Sequence, residues 1–524
     1  MRLPGFLSLL AVFLAGCEKR EPEPIIRPMN LPRLRELDFS PFADSLDRIG
    51  SSRLDQIDRI VTSATIPEIE KAFADGDLTS EELTLFFLDR IRRHDETLRS
   101  YLELNPLALD EAREADRLRA ADQVRGPLHG IPLSVKDNIA TSGPMHTTAG
   151  AEILLDHVAP ADARLVTLLK ENGAVILGKA SLSELAGCLT TEPPGYNAIS
   201  GLGVNPYGPD FPVSGSSSGS AIATSSLLAM VSVGTETSGS LLSPGASNGV
   251  VAMKPGHEIV SGKGIVPLIR FQDSAGPIAR NVTDTAILLQ AIAGSGSETF
   301  MPLEESALGG VAVGVLRKGI LQEKPDAGFW LSRVDEGLSR AGARSKDVDE
   351  TFEGKPDLLP LIFLGLSRDT MTYLREEGFP VGTVSALRDY NLEDPERRVP
   401  RGQNLIDLAV RILGAIHAES GLEEEKLGGI YEEAALALRE EMAEILSHTF
   451  EAYEVDLLVS LANLHSTLYA TAGYPAITIP LGLDEGGAPN GVTLIARPGE
   501  DASLLRAAFA FEQATRYRVP PKLP

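Results

Sequence analysis

Residues 214–220 have the sequence SGSSSGS and residues 234–240 have the sequence GTETSGS. The first stretch precedes a helix-like run at 221–228, and the second follows an apolar segment at 229–233. Flexible linkers are often rich in glycine and serine, but a linker does not normally lie between apolar elements of a core. Small residues in a tight loop allow several backbone N–H groups to point at one place, as an oxyanion hole requires. We therefore expect both stretches to be loops at a functional site.

A third stretch, residues 129–138, has the sequence HGIPLSVKDN. The segment from Ile131 to Lys136 alternates as a β-strand does. A lysine at the end of an apolar strand is usually a surface residue whose methylene groups pack on apolar neighbours. Taken alone, Lys136 therefore indicates no function.

Periodicity along the chain predicts an α/β fold. Helices with N-capping residues are expected from 65 and from 79 onward, and further helices at 161–172 and 431–450. Strands are expected at 174–177 and 229–233, and a hairpin is expected from 476–479 and 491–495. This alternation predicts a single large domain, residues 56–520, with a mixed β-sheet core covered by helices on both faces.

Composition excludes several classes of function. The chain has 524 residues, with 48 Lys and Arg against 73 Asp and Glu, for a formal net charge of −25. An acidic surface repels phosphates, so we expect no nucleic-acid partner. The two cysteines, Cys17 and Cys188, are too few for a disulfide framework or a thiolate zinc site, and the eight histidines show no HExxH spacing. We therefore expect no metal, and a buried Cys188 that acts as a small apolar residue.

The N-terminus predicts export and a membrane anchor. Residues 3–14 are mostly apolar, too few to span a bilayer, which takes about 20, but enough for the apolar part of an export signal. The sequence LAGC at 14–17 resembles the lipobox of bacterial lipoproteins, in which the cysteine is acylated. We expect a signal peptide at 1–17, lipidation of Cys17, and a Pro-rich tether at 18–55 that attaches the domain to a membrane of the bacterial cell envelope, on its periplasmic or extracellular side. A plain signal peptide, or a buried strand with a chance LAGC, is the alternative.

Together the three stretches resemble the amidase signature family of serine hydrolases. The segment that ends at Lys136 resembles the family motif G-[IV]-P-x-x-x-K-[DE], SGSSSGS resembles its GGSSGG loop, and GTETSGS resembles its GT[DE]xxGS loop. Ser216 and Ser240 are 24 residues apart, as are the family's two catalytic serines. Similarity at 248–255, 272–277, 472–476 and 496–498 extends the resemblance over about residues 57–518, and the bacterial peptide-amidase branch is the most similar.

The resemblance implies a Ser-Ser-Lys triad. Ser240 would be the nucleophile that forms an acyl-enzyme, because a covalent intermediate divides one difficult hydrolysis into two easier steps. Ser216 would relay the proton and then protonate the leaving amine. Lys136 would be the base, which requires burial to lower its pKa from the ordinary value of about 10.4.

The resemblance also assigns roles to the loop backbone. The N–H groups of Thr237, Ser238, Gly239 and Ser240 would form the oxyanion hole. Gly215 would precede a cis peptide bond before the relay serine, and Ser217 would support the loop by hydrogen bonding.

Two residues beside the triad depart from the family. Most members have an arginine two positions after the nucleophile, where this chain has Leu242. Two positions before it, where glycine or aspartate is usual, this chain has Ser238. The triad is intact, but these changes leave room for an altered or weak activity.

Three alternatives compete with this interpretation. Residues 215–219 also satisfy the G-x-S-x-G elbow of α/β-hydrolases with Ser217 attacking, but an elbow follows a strand and residues 204–213 contain three prolines. A glutaminase subunit of a tRNA-dependent amidotransferase belongs to the same family, but export and the acidic charge disfavour it. A catalytically impaired amidase-fold lipoprotein could act as a binding module, yet all three triad residues are present.

The sequence therefore predicts a membrane-tethered amidase with no cofactor, a hydrolase acting on carbon–nitrogen bonds other than peptide bonds in linear amides. Its partner would be a small-molecule or peptide amide, converted to a carboxylate and ammonia or an amine. Oligomeric state is left open.

Overall fold

The computed structural model describes residues 33–190, 193–257, 259–294, 299–352, 358–421 and 428–523. The predicted signal peptide, the predicted lipidation site Cys17 and the tether up to residue 32 lie outside these ranges. None of the described helices combines the length and apolarity needed to cross a membrane.

The predicted mixed sheet is present at the centre of the domain. The strands of the described ranges are β1 (Tyr101–Leu104), β2 (Pro132–Lys136), β3 (Val175–Ala180), β4 (Tyr196–Asn197), β5 (Gly201–Leu202), β6 (Val231–Glu236), β7 (Val251–Lys254), β8 (Ser274–Ala279), β9 (Ala312–Val315), β10 (Arg344–Asp347), β11 (Leu457–Leu461), β12 (Ala476–Leu483) and β13 (Pro489–Ile495). Eleven of them form one sheet in the order β1-β3-β2-β6-β8-β7-β12-β13-β11-β9-β10, and β4 pairs with β5. β2 is parallel to both β3 and β6, and β9 is parallel to both β10 and β11, whereas the other pairs are antiparallel.

Helices flank this sheet, which confirms the predicted fold class. They are α1 (Ala43–Arg48), α2 (Ser51–Val61), α3 (Ile66–Asp75), α4 (Ser80–Leu98), α5 (Ala108–Ala120), α6 (Arg164–Glu171), α7 (Ser218–Ser225), α8 (Leu242–Ser247), α9 (Val282–Ala293), α10 (Arg317–Glu323), α11 (Gly328–Arg340), α12 (Leu359–Gly365), α13 (Met371–Glu376), α14 (Val384–Glu393), α15 (Pro395–Arg398), α16 (Asn404–Ser420), α17 (Gly428–Ala452), α18 (Ser466–Thr471) and α19 (Asp501–Thr515). Short 3-10 helices lie at Ser40–Phe42, Glu152–Leu154 and Glu184–Gly187, and a π-helical turn lies at Leu366–Thr370.

Local sequence explains where the two predicted capped helices begin. At the start of α4, the Thr79 hydroxyl accepts a hydrogen bond from the amide of Glu82, and the Glu82 carboxylate accepts one from the amide of Thr79. Thr65 and Glu68 make the same capping box at the start of α3. Each box satisfies backbone N–H groups that the first helical turn leaves without partners.

The described part of the predicted tether is folded onto the domain. Arg33 forms an ion pair with the buried Asp95 at 3.0 Å, and the amide of Leu34 donates to the carbonyl of Ile199 at 2.8 Å. Phe42 and Leu46 are buried in the main core. The prolines that favoured a tether lie at residue 32 or before, apart from the one in the 3-10 helix at 40–42, so the segment 33–55 belongs with the domain rather than with a linker.

The parallel strands create an edge at which a site can form. From β2 the chain runs first to β3 on one side and later to β6 on the other, so the strand order reverses at β2. In open α/β sheets such a reversal leaves a crevice outside the carboxyl ends of the strands. Lys136 is the last residue of β2, and the GTETSGS loop leaves the carboxyl end of β6 at the same edge.

Candidate active site

Lys136 is fully buried, and its amine reaches the two glycine- and serine-rich loops. Its Nζ lies 2.7 Å from Ser216 Oγ, 2.8 Å from Thr235 Oγ1 and 3.2 Å from the Thr235 carbonyl oxygen. Burial lowers the pKa of Lys136 to about 7, although the carboxylates of Asp273 and Glu236 act in the opposite direction. A substantial fraction of this lysine is therefore uncharged near neutral pH.

A neutral amine can make all three contacts, as an ammonium ion can. The carbonyl of Thr235 can only accept, and its hydroxyl already accepts a hydrogen bond from Asn138 Nδ2 at 3.0 Å. The two N–H bonds of a neutral amine can serve these two acceptors, so its lone pair can face the hydroxyl of Ser216. The arrangement can therefore take a proton from Ser216.

Two other fully buried lysines lack such a contact. Lys179 Nζ lies 2.6 Å from the carbonyl oxygen of Ile139 and 3.6 Å from Asp137 Oδ1, and Lys254 Nζ lies 2.9 Å from the carbonyl oxygen of Pro255. Burial lowers the pKa of each of these two lysines to about 8. Their partners hold the amine in place, but neither lysine contacts a serine of the two loops.

The loop around Ser216 has little space for side chains. The peptide bond between Gly215 and Ser216 is cis. A Cβ atom at position 215 would lie 2.3 Å from Ser183 Oγ, which accepts a hydrogen bond from the amide of Gly195. Ser216 itself is buried, and its carbonyl accepts from the amide of Ser183 at 3.0 Å. Glycine at 215 is therefore required by the close approach of the neighbouring chain.

Ser217 connects the two loops by hydrogen bonds. Its hydroxyl donates to the carbonyl of Thr235 at 2.9 Å, and its amide donates to the carbonyl of Ser240 at 3.2 Å. Ser217 is fully buried, and no strand is present among residues 204–213. An elbow with Ser217 as nucleophile is therefore not supported.

The loop from Glu236 to Leu242 is tied at both ends. The amides of Leu241 and Leu242 donate to Glu236 Oε2 at 2.7 and 3.2 Å. Gly239 has a φ of +83°, which favours glycine, and a Cβ atom there would lie 2.9 Å from Asn463 Cβ. Ser240 lies between these fixed points and is half-buried, so its hydroxyl is accessible.

One link of the predicted relay is made in this structure and one is not. Ser216 Oγ contacts Lys136 Nζ, but no hydrogen bond joins Ser216 Oγ and Ser240 Oγ in the described site. Both serines line one cavity of about 300 Å³ together with Glu184 and Leu405. Catalytic hydrogen bonds in unliganded enzymes often tighten only when substrate binds.

The predicted oxyanion residues form a turn with free donors. Across the described ranges, the amides of Ser238, Gly239 and Ser240 have no protein acceptor. Thr237 is held by its side chain, which donates to Asp273 Oδ1 at 2.5 Å, and by its carbonyl, which accepts from Gln272 Nε2 at 2.6 Å. The turn can therefore present amide donors beside the hydroxyl of Ser240.

The two departures from the family have different surroundings. Leu242 is fully buried in the main core, where it contributes to packing rather than to the cavity. Ser238 is half-buried, and its hydroxyl donates to Ser466 Oγ at 3.1 Å. Of the two positions at which the chain differs from the family, Ser238 therefore lies closer to the space that a substrate can occupy.

A second cavity, of about 110 Å³, adjoins the site. It is lined by Asn138, Thr235, Thr237, Arg270 and Asp273 among others, and Ala186 lines both cavities. Thr235 was not predicted as a site residue, although it lies within the GTETSGS stretch, nor was Asp273, which lies in the matching segment 272–277. No motif in the sequence indicated a role for Asn138 or Arg270.

The described ranges contain no group of three or more His, Cys, Asp or Glu side chains placed to hold a metal ion. Cys188 is a buried free thiol, and burial raises its pKa to about 12.

Comparison with known proteins extends these observations. A family model described as Amidase matches residues 82–505. A probable amidase of Arabidopsis thaliana is 35% identical, covering 88% of this chain and 92% of the relative. A glutamyl-tRNA(Gln) amidotransferase subunit of Thermus thermophilus is 32% identical, covering 86% of this chain and 96% of the relative.

Solved structures of amidases are also similar to this chain. An amidase family protein from Bacillus anthracis superimposes with a TM-score of 0.85 at 33% identity, covering 93% of this chain and 97% of the other. The peptide amidase of Stenotrophomonas maltophilia superimposes with a TM-score of 0.77 at 32% identity, covering 88% of this chain and 99% of the other. The resemblance seen in the sequence, including peptide amidase among the similar proteins, is confirmed.

Thr235→Val should impair the site without disturbing the fold. The change removes one acceptor of the Lys136 amine and leaves Asn138 Nδ2 without its partner. We expect kcat/KM for an amide substrate to fall about tenfold or more, because one hydrogen bond to an ionisable group is lost. The acid limb of the pH–rate profile should move to lower pH, because the ammonium form loses a stabilising acceptor.

Thr478→Val is the matched control for this variant. Thr478 is a buried strand residue whose hydroxyl has no hydrogen-bond partner among the described residues. Its loss should leave both the rate and the pH profile unchanged. Equal effects of the two substitutions would show that Thr235 is only a packing residue.

Proposed function

The chain belongs to the amidase signature family, and from that premise we propose that it hydrolyses a linear carboxamide or small amide through Ser240, Ser216 and Lys136. The observation that carries this proposal is the 2.7 Å contact between the buried amine of Lys136 and the hydroxyl of Ser216. The products would be a carboxylate and ammonia or an amine.

In the first step Ser240 Oγ attacks the amide carbonyl carbon. Its proton passes to Ser216 Oγ while the proton of Ser216 passes to the neutral Lys136 Nζ, so the lysine becomes an ammonium ion. The carbonyl oxygen becomes an oxyanion, which the amides of Ser238, Gly239 and Ser240 would stabilise. Rotation of the Ser240 side chain in the presence of substrate would complete its contact with Ser216.

In the second step the carbon–nitrogen bond breaks. Ser216 donates a proton to the leaving nitrogen and regains one from the Lys136 ammonium, which returns to the neutral amine. The acyl group is now an ester of Ser240. Water then attacks this ester through the same proton path and releases the carboxylate.

The state of Lys136 favours catalysis over a binding role alone. A shift of its pKa from 10.5 to about 7 corresponds to an unfavourable free energy on the order of 5 kcal/mol for the charged form. A binding module has no need for such a group between two loops. Amidotransferase subunits share the family, but the net charge of −25 does not favour a tRNA-dependent partner.

Substitution of the two catalytic serines, with a third serine of the SGSSSGS loop as control, allows a direct test. Ser240→Ala and Ser216→Ala should each lower kcat at least about a thousandfold, because the triad acts as a unit. Ser218→Ala is the matched control in the same loop, since the Ser218 hydroxyl is buried without a partner among the described residues. This variant should keep activity within about twofold, as expected when no hydrogen bond is lost.

A fluorophosphonate probe gives a second measurement of the same proposal. Mass spectrometry should locate the label on Ser240 in the wild type and find it strongly reduced in Lys136→Met. Labelling of Ser217 instead, or full activity in Ser240→Ala, would contradict the proposal.

Membrane attachment is part of the proposal and is supported by the LAGC sequence at 14–17. Expressed in a bacterium that processes lipoproteins, the full chain should incorporate labelled palmitate and enter the detergent phase of a two-phase extraction. Cys17→Ser should do neither, because it lacks the thiol that is acylated. Identical behaviour of the two proteins would contradict the anchor while leaving the catalytic proposal intact.

A further inference from the structure

The smaller of the two cavities borders the reacting groups but is not used by the proposed proton path. Thr235 in its wall contacts the Lys136 amine, Asn138 in its wall donates to the Thr235 hydroxyl, and Thr237 in its wall begins the turn with the free amides. A substrate group in this cavity would therefore lie beside the bond that is cleaved. The charged side chains in the rest of the cavity wall indicate the chemical class of that substrate group.

Arg270 lies in this wall with an unused guanidinium. The side chain is exposed, and within the described ranges it makes neither a hydrogen bond nor an ion pair within 4 Å. Only its backbone amide is bound, to Asp369 Oδ2 at 2.8 Å. In contrast, Arg368 pairs with Glu432 at 2.7 Å, and Arg439 donates to the carbonyl of Phe271 at 2.5 Å.

The nearby carboxylates are occupied by other donors. Asp273 Oδ1 accepts from Thr237, and Oδ2 accepts from the amides of Leu268 and Ile269 at 2.8 and 3.0 Å. Asp369 Oδ2 accepts from the Tyr431 hydroxyl at 3.2 Å in addition to the amide of Arg270. The Arg270 guanidinium acts on Asp369 through its charge, but its five N–H groups, in a planar fork, have no protein acceptor among the described residues and are open to a ligand.

We propose that Arg270 binds an anionic group, a carboxylate or its equivalent, carried by the amide substrate. This inference rests on the proposed amidase function and narrows its substrate class. A planar guanidinium matches the two oxygens of a carboxylate. In a chain with a net charge of −25, most of the surface repels anions, so a local cation beside the catalytic groups is needed to hold one.

A cationic substrate bound by Asp273 is the competing possibility. It is disfavoured because both oxygens of Asp273 already accept hydrogen bonds from the protein. A cationic amide among the substrates tested allows this outcome to be recognised.

Three amides of similar length and different charge separate these possibilities. They are succinamate, which is anionic, its methyl ester, which is neutral, and 3-aminopropanamide, which is cationic. With the full chain we expect kcat/KM for succinamate to exceed that for the ester at least tenfold, and this ratio should fall as salt is added. Arg270→Gln should bring the ratio to about one, and Arg270→Glu should favour 3-aminopropanamide over succinamate.

Lys263→Gln is the matched control, since Lys263 is an exposed cation of the same segment outside the cavity wall. It should keep the wild-type ratio. A wild-type ratio near one, a ratio unchanged in Arg270→Gln, or a wild-type preference for 3-aminopropanamide would overturn the inference.

Binding to Ser240→Ala, measured by calorimetry, distinguishes this inference from the proposed function. Tenfold tighter binding of succinamate than of its ester, lost when Arg270→Gln is added, supports the anion site even if none of the amides is hydrolysed. Absence of hydrolysis would then count against the catalytic proposal alone. Equal binding of the two ligands would overturn the anion site.

Discussion

The site depends on a buried amine whose three nearest partner atoms belong to the SGSSSGS loop and to the carboxyl end of β6. Lys136 leaves water entirely when the sheet forms, and its Nζ meets one hydroxyl of the SGSSSGS loop and two oxygens of Thr235. Burial favours the uncharged form, and that form can make all three contacts with its two N–H bonds and one lone pair. The proton-accepting capacity of the site follows from this one environment.

The sheet positions Lys136 beside Thr235, and hydrogen bonds between the loops hold this arrangement. Because β2 and β6 are parallel neighbours, Val135 pairs with Val233, and the next residues bring Lys136 and Thr235 together at the carboxyl edge. Ser217 then bonds both to Thr235 and to the carbonyl of Ser240. Displacement of either loop would therefore disturb the base, the relay serine and the nucleophile at the same time.

The sequence allowed the elements of this arrangement to be predicted but not their distances. Alternation in 131–136 and the apolar segment 229–233 predicted β2 and β6, and the helix expected from 79 onward is α4. The partnership of Lys136 with Thr235 depends on strand register, which local periodicity does not determine. Arg270 and Asp273 reach the cavity through a loop whose path is set by tertiary hydrogen bonds. The packed segment 33–55 was missed for a similar reason, since the partners that hold it, such as Asp95, are distant in sequence.

The central claim is that a substantial fraction of Lys136 is uncharged at neutral pH, and nuclear magnetic resonance can measure this directly. The ¹³Cε shift of lysine can be followed against pH in labelled protein, with Lys136→Met used to assign the signal. The account predicts a resonance that titrates with a pKa of about 7 and is absent from the variant. A Lys136 signal that titrates near the ordinary value of about 10.4 would contradict the account, because the amine would then be an ammonium ion unable to accept a proton from Ser216.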